Sequence, residues 1–155
     1  MNLTGARTPA ERVRLLVGEV LPAAEVPAPG RLLDIGSGNG SPGLVLALLR
    51  PDLRVTLLEP RQRRWAFLRE AARAAGADVE VRRQRHDEYA GPRAATVTLR
   101  GLGLDLGAIA SLVAPGGGVL VFGRPRAPEA GWREEGRGAG YRLYRAGDVS
   151  RETRR

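Results

Sequence analysis

Apolar residues along the chain recur in two rhythms. Short, mostly apolar runs alternate with longer segments in which apolar positions return every three or four residues. The first rhythm is that of strands buried on both faces, and the second is that of amphipathic helices. On this basis residues 31–35, 54–58, 79–81, 96–99 and 119–122 are predicted strands, and residues 11–21, 41–49, 61–75 and 104–113 are predicted helices. In the first helix Val13, Leu16, Val17 and Val20 form one apolar stripe, and Thr8-Pro9 ahead of it reads as a cap with proline at the first helical position. Gly76 ends the third helix, and Pro115-Gly116 ends the fourth. Residues 22–30 carry prolines and read as a connection. Residues 141–146 read as a sixth strand. Residues 125–140, rich in glycine, proline and charge, read as loop or weak helix, leaving no place for a seventh strand.

Strands that alternate with helices at this spacing describe parallel βαβ units with right-handed crossovers. The expected fold class is therefore α/β: a Rossmann-like, doubly wound, mostly parallel sheet. Such a sheet binds its ligand beyond the carboxyl ends of the strands, where the strand order reverses. A length of 155 residues suits one domain. Residues 1–29 form an N-terminal helix and connection, residues 30–124 the ligand-binding core, and residues 125–155 a poorly defined C-terminal portion. No apolar run approaches a membrane span, no secretory signal opens the chain, and cysteine is absent. These features predict a cytoplasmic protein without disulfides.

Charge adds a partner class. The 25 basic residues outnumber 17 acidic ones, giving a net charge of +8. That balance favours a polyanion, with nucleic acid the first candidate. Every basic residue is arginine, as a GC-rich coding bias would produce, so only the excess of charge carries weight. One histidine and scattered acids do not make a metal-ligand set, so no metal is expected.

The most informative segment is the run from Leu32 through Asp34 and Ile35 to Gly36-Ser-Gly-Asn-Gly40. A buried strand enters a glycine turn that lets the backbone approach a ligand closely. Gly38-Asn-Gly-Ser-Pro-Gly43 has the spacing of a dinucleotide fingerprint, but it begins two residues late, and Pro42 removes an N–H from the phosphate cradle. S-adenosylmethionine carries no phosphate. It needs an acid near its ammonium group and glycines beside its methionine chain, which Asp34, Gly36, Ser37, Gly38 and Gly40 can supply. Glu59, at the end of the second strand, is placed to accept from the ribose hydroxyls of an adenosine cofactor. The polar turn after the third strand, with His86 and Asp87, would lie beside the adenine.

Asp34-Ile-Gly-Ser-Gly-Asn-Gly-Ser-Pro-Gly-Leu44 resembles the D-x-G-x-G-x-G-x-P-G-L motif of bacterial 16S rRNA guanine-N7 methyltransferases, also called glucose-inhibited division protein B. The likeness continues through Leu58-Glu-Pro-Arg-Gln-Arg-Arg-Trp-Ala-Phe-Leu68, Arg85-His-Asp-Glu88, Thr98-Leu-Arg100 and Asn2-Leu-Thr4, and it spans residues 2–124. It implies an S-adenosylmethionine-dependent methyltransferase acting on small-subunit rRNA. The family's cofactor contacts fall on Gly36, Ser41, His86, Asp87 and Arg100. Ser41 stands where the family has an apolar residue, and Ala95 where it usually has an aspartate.

The chemistry fits that class. Without cysteine, the chain lacks the nucleophile commonly used for pyrimidine carbon-5 methylation. The loop after the fourth strand, Leu99-Arg-Gly-Leu-Gly103, lacks the Asn/Asp-Pro-Pro-aromatic pattern used on exocyclic amines. Guanine N7 has an in-plane lone pair and no proton to remove, so it needs orientation and no base. Arg100 is the expected catalytic residue, orienting substrate or cofactor with its guanidinium. Arg61, Arg63 and Arg64 crowd the start of a helix, where positive charge opposes the dipole, and are expected to meet RNA phosphates. Trp65 and Phe67 are expected to pack in the core. A small-molecule or protein methyltransferase with the same core, or a non-catalytic relative that binds the cofactor or RNA, remain as alternatives. The protein is expected to be a monomer or homodimer that binds no membrane.

Overall fold

The computed structural model describes residues 5, 7–124 and 126–147, so Asn2-Leu-Thr4 lies outside the described residues. Among the described residues the first element is α1 (Pro9–Val13). Thr8 accepts from the Glu11 N–H and the Glu11 carboxylate accepts from the Thr8 N–H, a reciprocal cap with Pro9 at the first position. The expected helix over residues 11–21 does not continue as one spiral. It passes into a π turn (Arg14–Gly18) and then a 3₁₀ turn (Leu21–Ala23). Widening and tightening the spiral breaks the apolar stripe: Val20 is fully buried, whereas Val13 is 62% exposed.

The core then alternates as expected: β1 (Gly30–Ile35), α2 (Gly43–Leu49), β2 (Leu53–Leu58), α3 (Gln62–Ala75), β3 (Val79–Arg82), β4 (Ala94–Arg100), α4 (Leu106–Ile109) and β5 (Val113–Phe122). The left-handed residue Gly76 stops α3. Trp65 in α3 donates its indole N–H to Val81 O, while Phe67 is 43% exposed and so does not join the core. The expected fourth helix is shortened. A 3₁₀ turn (Ala110–Leu112) follows α4, and β5 begins ahead of Pro115. Pro115 is tolerated because Ala94 pairs with Val113 while Thr96 pairs with Gly118, leaving it in a bulge outside the ladder.

β6 (Trp132–Gly138) and β7 (Tyr141–Ala146) form a hairpin. β7, the expected sixth strand, is thus the seventh. β6 lies where loop or weak helix was expected, because Trp-Arg-Glu-Glu-Gly-Arg-Gly carries no β-branched residue. Pairing with β7 holds it, aided by the Glu134–Arg142 and Glu135–Arg145 ion pairs across the ladder. All seven strands form one sheet in the order β3-β2-β1-β4-β5-β7-β6, parallel except for β7 and its pairings. Each face of the sheet buries a cluster. Leu33, Ile35, Val97, Leu99 and Val119 pack with Leu106 and Ile109 on one side. Leu32, Val55, Leu57 and Leu120 pack with Leu46 and Leu68 on the other. The strand order reverses between β1 and β4, which places the ligand crevice at their carboxyl ends. Among the described residues no helix is long and apolar enough to cross a membrane.

Candidate methyl-transfer site

β1 delivers the chain into the turn of Gly36, Gly38 and Gly40, all at positive φ. At Gly36 the requirement is also steric, since a Cβ there would stand 2.8 Å from Leu102 Cδ1. Ser37 locks the turn: its N–H donates to Leu58 O at 3.0 Å, its hydroxyl donates to Asp34 O at 3.2 Å, and its carbonyl accepts from the Gly40 N–H at 2.7 Å. Glu59 is buried at the end of β2. Its Oε2 accepts from the Gly38 N–H and its Oε1 from the Arg61 N–H, each at 3.0 Å. One carboxylate therefore ties the glycine turn to the start of α3.

Three cavities open side by side along the strand ends. One of about 390 Å³ lies between Ile35, Pro60, Leu102 and Leu104, with Gln84, Arg85 and His86 on its rim. A second of about 420 Å³ lies between the ends of β4 and β5, walled by Glu19, Arg100, Leu102 and Phe122. A third of about 140 Å³ covers the glycine turn, between Ser37, Asn39, Ser41, Arg64 and Arg100. Gly36 is common to the first and third, Leu102 to the first and second, and Arg100 to the second and third. They are adjoining chambers of one crevice.

The expected site residues divide between lining and support. Gly36, Ser37, Gly38, Ser41, His86, Arg64 and Arg100 line the chambers. Asp34 does not. It lies beneath the turn, 1% exposed, with Oδ1 accepting from Thr98 Oγ1 at 2.6 Å and Oδ2 buried without a partner among the described residues. Burial pushes its carboxyl from 3.8 up to about 6, against the opposing pull of the Thr98 hydrogen bond and the Arg100 charge. Ser41 ties the turn to the N-terminal segment by donating to Leu16 O at 3.2 Å. Asp87 is exposed and paired with Arg85 at 3.2 Å, a hydrogen bond that holds its carboxyl below the usual range. Arg61 and Arg63 are exposed beside half-buried Arg64, and none of the three pairs with a carboxylate among the described residues.

Arg100 projects from the end of β4 over the Phe122 ring, 5.3 Å from its centroid. Its Nη1 donates to Glu19 Oε2 at 2.6 Å, while Nε and Nη2 are buried without partners among the described residues. Other residues of the crevice carry no signal in the sequence. Gln84 lines the first chamber, and its buried Oε1 lacks a donor among the described residues. Leu102 divides two chambers, and Arg126 holds the loop that carries it by donating to Leu102 O and Leu104 O. Glu129 pairs with Arg126 at 3.0 Å and accepts from the Leu106 N–H at 2.7 Å. Thr98 has one signal, because a parallel register that aligns Asp34 with Thr98 puts both on the same face of the sheet.

Known proteins share this architecture. The chain superposes on the Thermus thermophilus 16S rRNA N2 G1207 methyltransferase, in complex with AdoMet and guanosine, with a TM-score of 0.63 at 16% identity, covering 94% of this chain and 44% of that one. It superposes on the putative methyltransferase yhhF of Escherichia coli with a TM-score of 0.59 at 23% identity, covering 96% of this chain and 92% of that one. The fold is that of class I methyltransferases. By sequence, it is 46% identical over 127 residues to the ribosomal RNA small subunit methyltransferase G of a Nocardioides species, covering 78% of this chain and 51% of that protein. It is 40% identical over 121 residues to the protein of the same name from Mycolicibacterium gilvum, covering 74% of this chain and 51% of that protein. The chain thus spans about half the length of these curated relatives. A family model described as GidB, rRNA small subunit methyltransferase G, matches residues 1–124, and the chain belongs to that family.

Proposed function

We propose that the protein transfers a methyl group from S-adenosylmethionine to N7 of a guanine in small-subunit rRNA. The observation that carries this reading is the adjoining of three chambers around Gly36, Leu102 and Arg100 at the reversal of strand order. The first chamber suits adenine: its walls are largely apolar, and Gln84 lines it with an amide that can pair with an amino group. The glycine turn would hold the methionine chain, and Glu59 would hold the ribose. When bound, S-adenosylmethionine supplies a methyl group activated by a sulfonium centre. Leu102 and Arg100 stand where the donor side meets the second chamber, so they orient what approaches from β4 and β5. No general base is required for N7, and orientation on axis supplies much of the rate.

The family's name supports rRNA as substrate. Arg61, Arg63 and Arg64 beside the turn supply cations for its phosphates. Calorimetry with S-adenosylhomocysteine, followed by transfer of labelled methyl to unmodified small-subunit rRNA and nucleoside analysis, tests the reading. The expected results are micromolar binding and labelled 7-methylguanosine. Absence of both would sink it.

A further inference from the structure

The chamber between β4 and β5 contains a donor and an acceptor held side by side. Glu19 comes from the segment after the π turn, and Arg100 from the end of β4. Their side chains meet at 2.6 Å on the chamber wall, 47% and 24% exposed. Arg100 rests over buried Phe122, which fixes the guanidinium from below, and its buried Nε and Nη2 have no acceptor among the described residues. Glu19 Oε1 makes no hydrogen bond among the described residues.

From this arrangement we infer that Glu19 and Arg100 together read the target base, with Glu19 as a specificity-determining residue. The inference rests on the proposed guanine methylation and assigns its base-recognition chamber. Guanine presents O6, an acceptor, next to N1–H and the N2 amine, which are donors. A carboxylate beside a guanidinium complements that edge: Glu19 accepts from N1–H and N2–H while Arg100 donates to O6. Adenine reverses both positions, setting an amine toward the guanidinium and a bare N1 toward the carboxylate. It would leave both charged groups unsatisfied. N7 lies on the far side of O6 from N1, so a guanine held in this way keeps its reacting nitrogen clear. The volume of about 420 Å³ accommodates a purine base with room to spare.

The test is a titration of the full chain, saturated with S-adenosylhomocysteine, with guanosine, inosine and adenosine 5′-monophosphates. Inosine keeps O6 and N1–H but lacks the N2 amine. For the native protein the expected order is guanosine, then inosine weaker by about 10-fold or more, then adenosine weakest, since a hydrogen bond to a charged group is at stake. In Glu19→Gln, which retains an acceptor for Arg100, the guanosine-to-inosine ratio should collapse toward one while S-adenosylhomocysteine affinity is unchanged. Equal binding of guanosine and inosine by the native protein, or no binding of either, overturns the assignment without needing the variant. A Glu19→Gln protein that weakens both nucleotides alike overturns it too, and shows that Glu19 only neutralises Arg100. Loss of S-adenosylhomocysteine binding by the native protein counts against the cofactor reading, whereas the nucleotide ratio judges Glu19 separately.

Discussion

Thr98 on β4 donates its hydroxyl proton to Asp34 Oδ1 on β1 at 2.6 Å, joining the two strands where the sheet order reverses. The pair is fully enclosed, and it sits below the glycine turn whose backbone forms the crevice. Asp34 therefore shapes the site from beneath.

Enclosure makes this carboxyl a source of pH dependence. Its folded value of about 6 lies above the reference of 3.8, so between these values the folded state holds a proton that the unfolded state has released. Stability should fall as pH rises from 4 to 6 and level off above, by about 3 kcal/mol at most. Asp34→Asn should remove that slope. Thermal melts of both proteins across the range check the prediction, and identical slopes would exclude Asp34 as the cause.

Gly43 packs against the same carboxyl. A Cβ at that position would stand 2.4 Å from Asp34 Oδ2 and 2.5 Å from Leu57 Cδ2. Gly43→Ala should destabilise the protein by about 1–3 kcal/mol, the usual cost of overpacking, despite the better helix propensity of alanine. Denaturant titration gives the sign directly.

Glu59 has both oxygens engaged with backbone N–H groups, at Gly38 and Arg61. Glu59→Gln replaces one acceptor with an amine that faces a donor. A loss of about 1–3 kcal/mol in stability is expected, with at least a 10-fold loss in S-adenosylhomocysteine affinity. Melting and calorimetry on one preparation would separate the two effects.

Arg126 and Glu129 brace the loop of Leu102 and Leu104 from behind. Neither residue lines the first chamber, which that loop walls, while Arg126 also lines the second. Arg126→Gln should raise KM for the methyl donor about 3–10-fold, by loosening the wall by about one hydrogen bond, and weaken rRNA binding by no more than the same factor. A fall in rRNA affinity with donor KM unchanged would contradict this role.

Arg61, Arg63 and Arg64 can be tested together. If each meets one phosphate of single-stranded RNA, replacing all three by Gln should reduce the slope of log K against log salt by about 2. An unchanged slope would show that these arginines face only solvent.

Much of this fold was legible in the sequence because β1, β2 and β4 are buried on both faces and read as short runs dominated by apolar residues. The glycine turn was legible because its backbone geometry admits few other residues. β6 was hidden, since a partner strand and ion pairs hold it and its own residues give no strand signal. The broken N-terminal helix was hidden for a related reason: a π turn changes the phase of a stripe without changing its composition. In the site, Gly36 and Arg100 could be picked out by their position at strand ends. Glu19, Gln84 and Arg126 could not, because what matters about them is the distance to residues far along the chain.

The two outer strands of the sheet have a consequence for the molecule's behaviour in a crowded solution. β3 presents Glu80 and Arg82 as an ion pair, and β6 carries two arginines, two glutamates and two glycines. A free strand adding to either margin would have to strip water from these charges and match them one by one. Both margins are thereby guarded against sheet-to-sheet growth, so the apolar strands between them can be as sticky as the core demands.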